Sequence, residues 1–283
     1  MSRLRIITDS TSDVPPEVAA QLRITVVPAY VQVGSCSYRD DGADLRREEF
    51  YTQLPTMPVA PTTAVPPAHE FTSAYRSLVG EADEVIAIVV SSSLSGMYNV
   101  AHLAAQEVPE LKVHVVDSGQ VTMGLGWIVI AAAEAAANGK GTAEVLALIE
   151  DMKPRVRVYA ILDTLEYLRR SGRVSWARAK AAQILRIKPI LEVFLSQVRN
   201  LGRTRTRRRA IERLVGFVRG LGPLERLAVL HTYAPGLEDF RNRLVECSTL
   251  LCSSDQVLTV AVTTIIGAHV GPRGLGVAIV STG

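Results

Sequence analysis

Residues 85–90 form an uninterrupted apolar run, mostly β-branched, that stops at Ser91-Ser92-Ser93-Leu94-Ser95-Gly96. Such a run suits a strand buried on both faces. Met97, Val100, Leu103 and Ala104 then recur at helical spacing. The serines therefore sit on a strand-to-helix turn, where free backbone N–H groups meet a positive helix end. Hydroxyls that can donate or accept complete a setting suited to an anionic oxygen. Helix capping by Ser95, with the other serines as loop filler, is the competing explanation.

The rest of the chain repeats this pattern. A first strand at residues 4–8 ends in Asp9-Ser10-Thr11-Ser12-Asp13, and Pro15 and Pro16 open a short helix to residue 22. A second strand is expected at 24–33 with a bend at Pro28, then a polar loop at 34–44 and an amphipathic helix at 45–54. Residues 55–67 are proline-rich and expected to be irregular, yet they carry Thr62 and Thr63 just ahead of a helix at about 67–79. A strand at 112–116 runs into Asp117-Ser118-Gly119, followed by helices at 123–138 and 143–152. Alternation of this kind predicts a mostly parallel, doubly wound sheet. Three of its strands end in oxygen-rich turns, at Asp9-Ser10, Ser91 to Ser95 and Asp117-Ser118, and ligands of such sheets lie beyond the strands' carboxyl ends.

After Pro154 the pattern changes. Strands are expected at 156–162, 188–194, 198–206, 227–231, 257–262 and 276–280, with helices at 164–170, 176–185, 207–219 and 237–251. The expectation is an α/β protein of two domains: 1–154, with the doubly wound sheet and the hydroxyl-rich site, and 155–283, with a more mixed sheet.

Composition narrows the function. Hydrophobic residues make up 48% and aromatics only 5%, so the core must be aliphatic. Mean hydropathy is +0.19, high for a soluble chain. A net charge of +3 is too small for a polyelectrolyte binder. The first apolar run ends at Thr8 and Asp9, unlike a signal peptide, and the apolar stretch 123–137 is short for a membrane span and contains Glu134. A cytoplasmic protein is expected. Cys36, Cys247 and Cys252 form no C-x-x-C pair, and the five histidines show no ligand spacing, so neither a disulfide framework nor a metal is expected.

Each candidate chemistry meets an objection. The serine turn lacks the leading glycine of G-x-S-x-G, which weakens a nucleophilic serine. The turn after the first strand has no glycine, which argues against a dinucleotide or P-loop site, and Gly124-Leu125-Gly126 is better explained by packing. Arg199, Arg203, Arg205, Arg207, Arg208, Arg209 and Arg213, with Arg186 upstream, form a basic run without aromatics for stacking. It looks like a solvated strand face or an acidic-partner patch, and no nucleic acid is expected. His269 follows a β-branched run and is boxed by Gly267 and Gly271. A structural histidine and a ligand are both consistent with that.

Several phrases together resemble the DegV family of bacterial fatty-acid-binding proteins. They are Ile7-Thr-Asp-Ser-Thr-Ser-Asp-Val14, Pro61-Thr-Thr-Ala-Val-Pro66, Ser91-Ser-Ser-Leu-Ser-Gly-Met-Tyr98 and Val115-Val-Asp-Ser118. Leu165-Glu-Tyr-Leu-Arg-Arg-Ser-Gly-Arg-Val-Ser175, Ile187-Lys-Pro-Ile-Leu191, Arg203-Thr-Arg-Thr-Arg-Arg-Arg-Ala210 and Gly267-Ala-His-Val-Gly-Pro272 follow in the family's order. The resemblance implies two α/β domains enclosing one long-chain fatty acid, with Thr63, Ser95 and His269 on its carboxylate and Thr62, Ser92 and Gly96 beside them. It implies a non-catalytic carrier, needing no cofactor, that presents the carboxyl group to a fatty acid kinase, with Arg173 docking the kinase. A monomer with transient contact to a membrane surface is expected. The alternative is a serine-turn enzyme, a hydrolase or phosphotransferase, acting on a small anion. The chain departs from the family pattern at Ala64-Val65, Met97, Ser171, Leu195 to Gln197 and Arg273.

Chemistry agrees with the carrier. A monocarboxylate beside an apolar tunnel is better matched by neutral hydroxyls and a helix N-terminus than by an arginine cluster. Burying a 16-carbon chain at about 0.8 kcal/mol per CH₂ yields on the order of 10 kcal/mol before ordering costs.

Overall fold

The computed structural model of the protein describes residues 3–178 and 187–282. In its first half the chain runs β1 (Leu4–Asp9), α1 (Pro16–Gln21), β2 (Thr25–Val27), β3 (Tyr30–Val33), β4 (Cys36–Arg39) and α2 (Arg47–Gln53). It continues through β5 (Thr62–Ala64), α3 (Ala68–Arg76), β6 (Glu84–Val89), α4 (Met97–Gln106), β7 (Lys112–Asp117), α5 (Met123–Ala137) and α6 (Thr142–Met152). The second half holds β8 (Val156–Ile161), α7 (Glu166–Ser171), α8 (Ser175–Arg178), β9 (Lys188–Phe194), β10 (Gln197–Thr204) and α9 (Arg207–Arg219). Last come β11 (Pro223–His231), α10 (Leu237–Cys247), β12 (Thr249–Leu250), β13 (Leu258–Ala261), α11 (Thr264–Val270) and β14 (Leu275–Ser281). The expected helix at 176–185 and Arg186 lie partly or wholly outside the described residues.

Three sheets form among the described residues. β2-β1-β6-β7 is all parallel, with β6 at its centre. Its residues Val85 to Val89 are fully buried, which is why their sequence runs apolar instead of alternating. β10-β9-β8-β14-β11-β12, with β13 also on β11, is the mixed sheet expected of the second half. β4-β3-β5 is a small antiparallel sheet that the sequence reading missed.

That small sheet corrects three expectations. Residues 24–33 are not one strand: the chain leaves the parallel sheet after Val27, turns at Pro28-Ala29 and re-enters as β3 of another sheet. The polar loop contains β4. The proline-rich stretch contains β5, in which Thr62 and Thr63 pair with Gln32 and Val31. Pro61 and Pro66 flank this edge strand without occupying it, so no ladder donor is lost.

The largest of three buried clusters among the described residues runs from Leu4 of β1 to Val280 of β14, and α5 packs between the parallel and mixed sheets within it. Nearly every α5 residue is buried, and the Trp127 indole N–H donates to the Ala278 carbonyl at 3.1 Å. Two glycines permit this position. A Cβ on Gly124 would lie 2.6 Å from Val158 Cγ2 in β8, and one on Gly126 would lie 2.6 Å from the Ser12 carbonyl oxygen. Packing, as expected from sequence, explains the pair. Gly126→Ala is expected to destabilise the protein by about 1–3 kcal/mol through overpacking against backbone. A urea unfolding midpoint equal to wild type would show that the helix can back away.

The last helix departs most from its sequence. His269 lies on α11, a helix in a stretch to which the sequence assigned no element. Thr264-Ile265-Ile266-Gly267 is poor helix material. Its first amides are satisfied by side chains from far away: Asp13 accepts from Thr263 N at 2.7 Å and Asp40 from Thr264 N at 3.2 Å.

Candidate ligand-binding site

A cavity of about 200 Å³ lies between α11, the serine turn and the inner face of the mixed sheet. Sheet register explains its floor. Leu191, Ala160, Gly276 and Leu230 are consecutive cross-strand partners on β9, β8, β14 and β11, and all four line the cavity. The middle pair is small and the flanking pair large, so the row makes a trough. One row further, Val193 and Val158 are partners and extend the same apolar wall. Ile265, Ile266 and Val270 of α11 contribute the opposite side.

Polar groups gather at one rim. Thr63 Oγ1 and His269 Nε2 are 2.9 Å apart, joining β5 to α11 across 206 residues. Ser95 and Gly96 line the same cavity at the start of α4, and the Ser95 hydroxyl accepts from Met97 N at 3.3 Å. Burial drives the His269 pKa down to about 4, and the nearby Arg173 charge pushes it the same way. The ring is therefore neutral at neutral pH. Its Nδ1 is buried and has no hydrogen-bond partner among the described residues. An unsatisfied buried ring nitrogen costs free energy unless something else completes it.

Thr63, Ser95, Gly96 and His269 thus meet at one cavity, while two other expected residues do not. Thr62 is exposed, because adjacent strand residues face opposite ways, and it does not line the cavity. Ser92 is likewise outside it; its N–H reaches Asp117 Oδ2 at 3.2 Å and its hydroxyl donates to the same oxygen. Asp117 therefore organises the serine turn from behind. The Asp9 turn is also scaffold. Asp9 accepts from Thr11 N and Val90 N, each at 2.9 Å, tying the ends of β1 and β6 together.

Arg173 is more than an exposed arginine on a turn. It is exposed, yet its Nε donates to the Leu94 carbonyl of the serine turn at 3.0 Å and it lines the cavity. The β9–β10 turn closes on the same place: Ser93 Oγ donates to the Ser196 carbonyl at 2.8 Å, and Ser196 N to the Gly119 carbonyl at 2.9 Å. No local sequence signal announces either contact, since the partners lie about 80 and 100 residues apart.

The basic run divides between β10 and α9. Arg199 lies 3.7 Å from Glu192, Arg207 3.7 Å from Asp163 and Arg208 3.6 Å from Glu212. Partnered arginines on two elements fit a solvated protein face. Among the described residues no group of three or more His, Cys, Asp or Glu is placed to hold a metal ion, and no helix is long and apolar enough to cross a membrane.

A family model described as an uncharacterised protein of the DegV family matches residues 3–282. A DegV domain-containing protein of Deinococcus radiodurans is 35% identical over 281 residues, covering 98% of both chains. The structure resembles a DegV family protein from Thermus thermophilus, described by its fatty acid binding, at TM-score 0.90 and 30% identity, with 99% of each chain covered. It also resembles the fatty-acid-binding DegV of Bacillus subtilis at TM-score 0.85 and 28% identity, over 100% of both chains. Matched along essentially its whole length in sequence and in fold, the chain belongs to the DegV family.

Proposed function

We propose that the protein binds one long-chain fatty acid, with the carboxylate at Thr63, Ser95 and His269 and the acyl chain in the aliphatic cavity. The observation that carries this reading is His269: a neutral, buried imidazole with an unpartnered nitrogen among the described residues, set at a polar rim of a largely apolar cavity. With Thr63 donating its one hydroxyl proton to Nε2, the ring presents Nδ1–H as a donor, so Thr63 acts on the carboxylate through His269 while the Ser95 hydroxyl donates directly. A carboxylate there also gains from the free amides at the start of α4. Fatty acid binding by relatives of 28% and 30% identity supports the same reading.

On this reading the protein is a carrier and not a catalyst, acting as a cytoplasmic monomer that presents its carboxyl group to a fatty acid kinase. The serine hydroxyls support that choice. Ser91 and Ser93 bond each other at 2.9 Å and Ser92 bonds Asp117, so neither arrangement prepares a nucleophile with a histidine base. Arg173, exposed beside the rim, is the residue proposed to meet the kinase.

Native mass spectrometry of protein purified from a bacterial host tests the binding: one added fatty-acid mass per chain is expected. An empty protein that also fails to take up oleate would refute it. Arg173→Ala is expected to lower acyl-phosphate formation with a cognate kinase at least tenfold per bound fatty acid, the loss of one charge-assisted contact. Unchanged phosphorylation would remove Arg173 from the interface.

A further inference from the structure

Two buried carboxylates outside the ligand site converge on the segment that carries His269. Asp13 is 2% exposed and Asp40 7%. Asp13 accepts from Thr263 N at 2.7 Å and from the Thr122 hydroxyl. Asp40 accepts from Thr264 N at 3.2 Å and from the Thr264 hydroxyl at 2.7 Å, and the Ser10 hydroxyl also favours its charged form. From α2, the Tyr51 hydroxyl lies 3.0 Å from the Val262 carbonyl and 3.1 Å from that of Thr263, and Arg47 donates to the Ala261 carbonyl. Residues 261–264 are thus gripped on all sides, five positions before His269.

We infer that Asp13 and Asp40 are positioning residues whose negative charge holds the first turn of α11 and so keeps His269 against Thr63. Its consequence for ligand retention rests on the fatty-acid reading above.

The grip is charged although a neutral one would cost less to bury. A short helix of low propensity needs acceptors at its first amides, and neutral Asn or Ser would supply them at less desolvation cost. Instead the chain buries two acids within influence of each other and gives both the same counter-charge, Arg47, which lies 4.0 Å from Asp13. The groups facing Asp13 are Arg47 and Tyr51 from α2, Asp40 from the loop after β4, and the Thr122 hydroxyl at the start of α5. His231, at the end of β11, also feels the Arg47 charge. Burial outweighs Arg47 and raises Asp13 to about 6, and it raises Asp40 as well. The sign follows from linkage. A carboxyl whose folded pKa exceeds its unfolded value costs stability when ionised, so protonation near pH 6 favours the fold while weakening the grip. Acidification would then release ligand without unfolding the protein. Titration of His269 near 4 lies below that window.

Oleate affinity, measured on the full chain by a fluorescence displacement assay, is the test. Wild type is expected to lose about tenfold in affinity between about pH 7.5 and pH 5.5, with its melting temperature level or rising. Asp13→Asn is expected to bind about tenfold more weakly at about pH 7.5 and to show a flat profile over that range. Arg47→Gln, which removes the shared counter-charge, is expected to move the release midpoint upward by about half a pH unit or more. Wild-type affinity and profile in Asp13→Asn would overturn the inference. If that variant fails to fold by circular dichroism, an unmoved midpoint in Arg47→Gln overturns it instead. Should wild type bind no oleate, the fatty-acid reading fails on its own. The His269 ring NMR signals in ligand-free Asp13→Asn then decide the grip, and signals at their wild-type positions would overturn it.

Discussion

Replacing His269 with alanine is expected to weaken fatty acid retention by about 10- to 100-fold, the worth of a hydrogen bond to a charged group at about 1.5–3 kcal/mol. The fold should survive. His269 contributes one side-chain bond, to Thr63, and its other nitrogen has no partner to lose among the described residues. The variant also has a pH signature. Burial lowers His269 to about 4, so the unfolded chain binds a proton more readily than the folded one between that value and the ordinary histidine range. The His269 component of stability therefore rises with pH across that window, opposite in sign to the Asp13 component, and His269→Ala should lose it. Retention equal to wild type in a folded variant would return His269 to a structural role.

Ala160→Phe is expected to be as damaging to the ligand and gentler to the chain. Ala160 stands between Leu191 and Gly276 in the trough, facing the cavity, so the ring would fill space the acyl chain needs. Displacing about four methylenes at about 0.8 kcal/mol each costs about 3 kcal/mol, or about 100-fold in affinity. Because the ring fills empty apolar space, the melting temperature should hold or rise. A co-purified long-chain acid at wild-type stoichiometry would show that the chain takes another path. Gly276 is a poorer place for this test, because a Cβ there would lie 2.8 Å from the Tyr159 carbonyl oxygen.

Short-range patterns settled much of this protein. The apolar run into Ser91 is legible as β6 and α4 because a strand buried on both faces and an amphipathic helix each impose their own period. The helix expected at 207–219 is found as α9 (Arg207–Arg219), whose cap is local: Thr206 accepts from Arg209 N at 3.3 Å. The parallel first sheet and the mixed second sheet follow from alternation and from its loss after Pro154. Thr63, Ser95 and His269 were nameable through family phrases, each a few residues long.

Tertiary structure alone decided the rest. β5 is a strand only because β3 offers it a ladder, and that pairing spans a stretch whose prolines locally argue against regular structure. The first amides of α11 find their acceptors in Asp13 and Asp40, more than 200 residues away. Thr62 and Thr63 are adjacent in sequence and equal in chemistry, but strand alternation sends one to solvent and the other to His269. Arg173 reaches the serine turn through a contact no local period encodes. Periodicity records what a residue must do for its own element, whereas burial, desolvation and unpartnered atoms arise only when distant elements meet. His269 therefore acquired its neutral ring and its open nitrogen in the folded cavity, from neighbours its sequence position does not name.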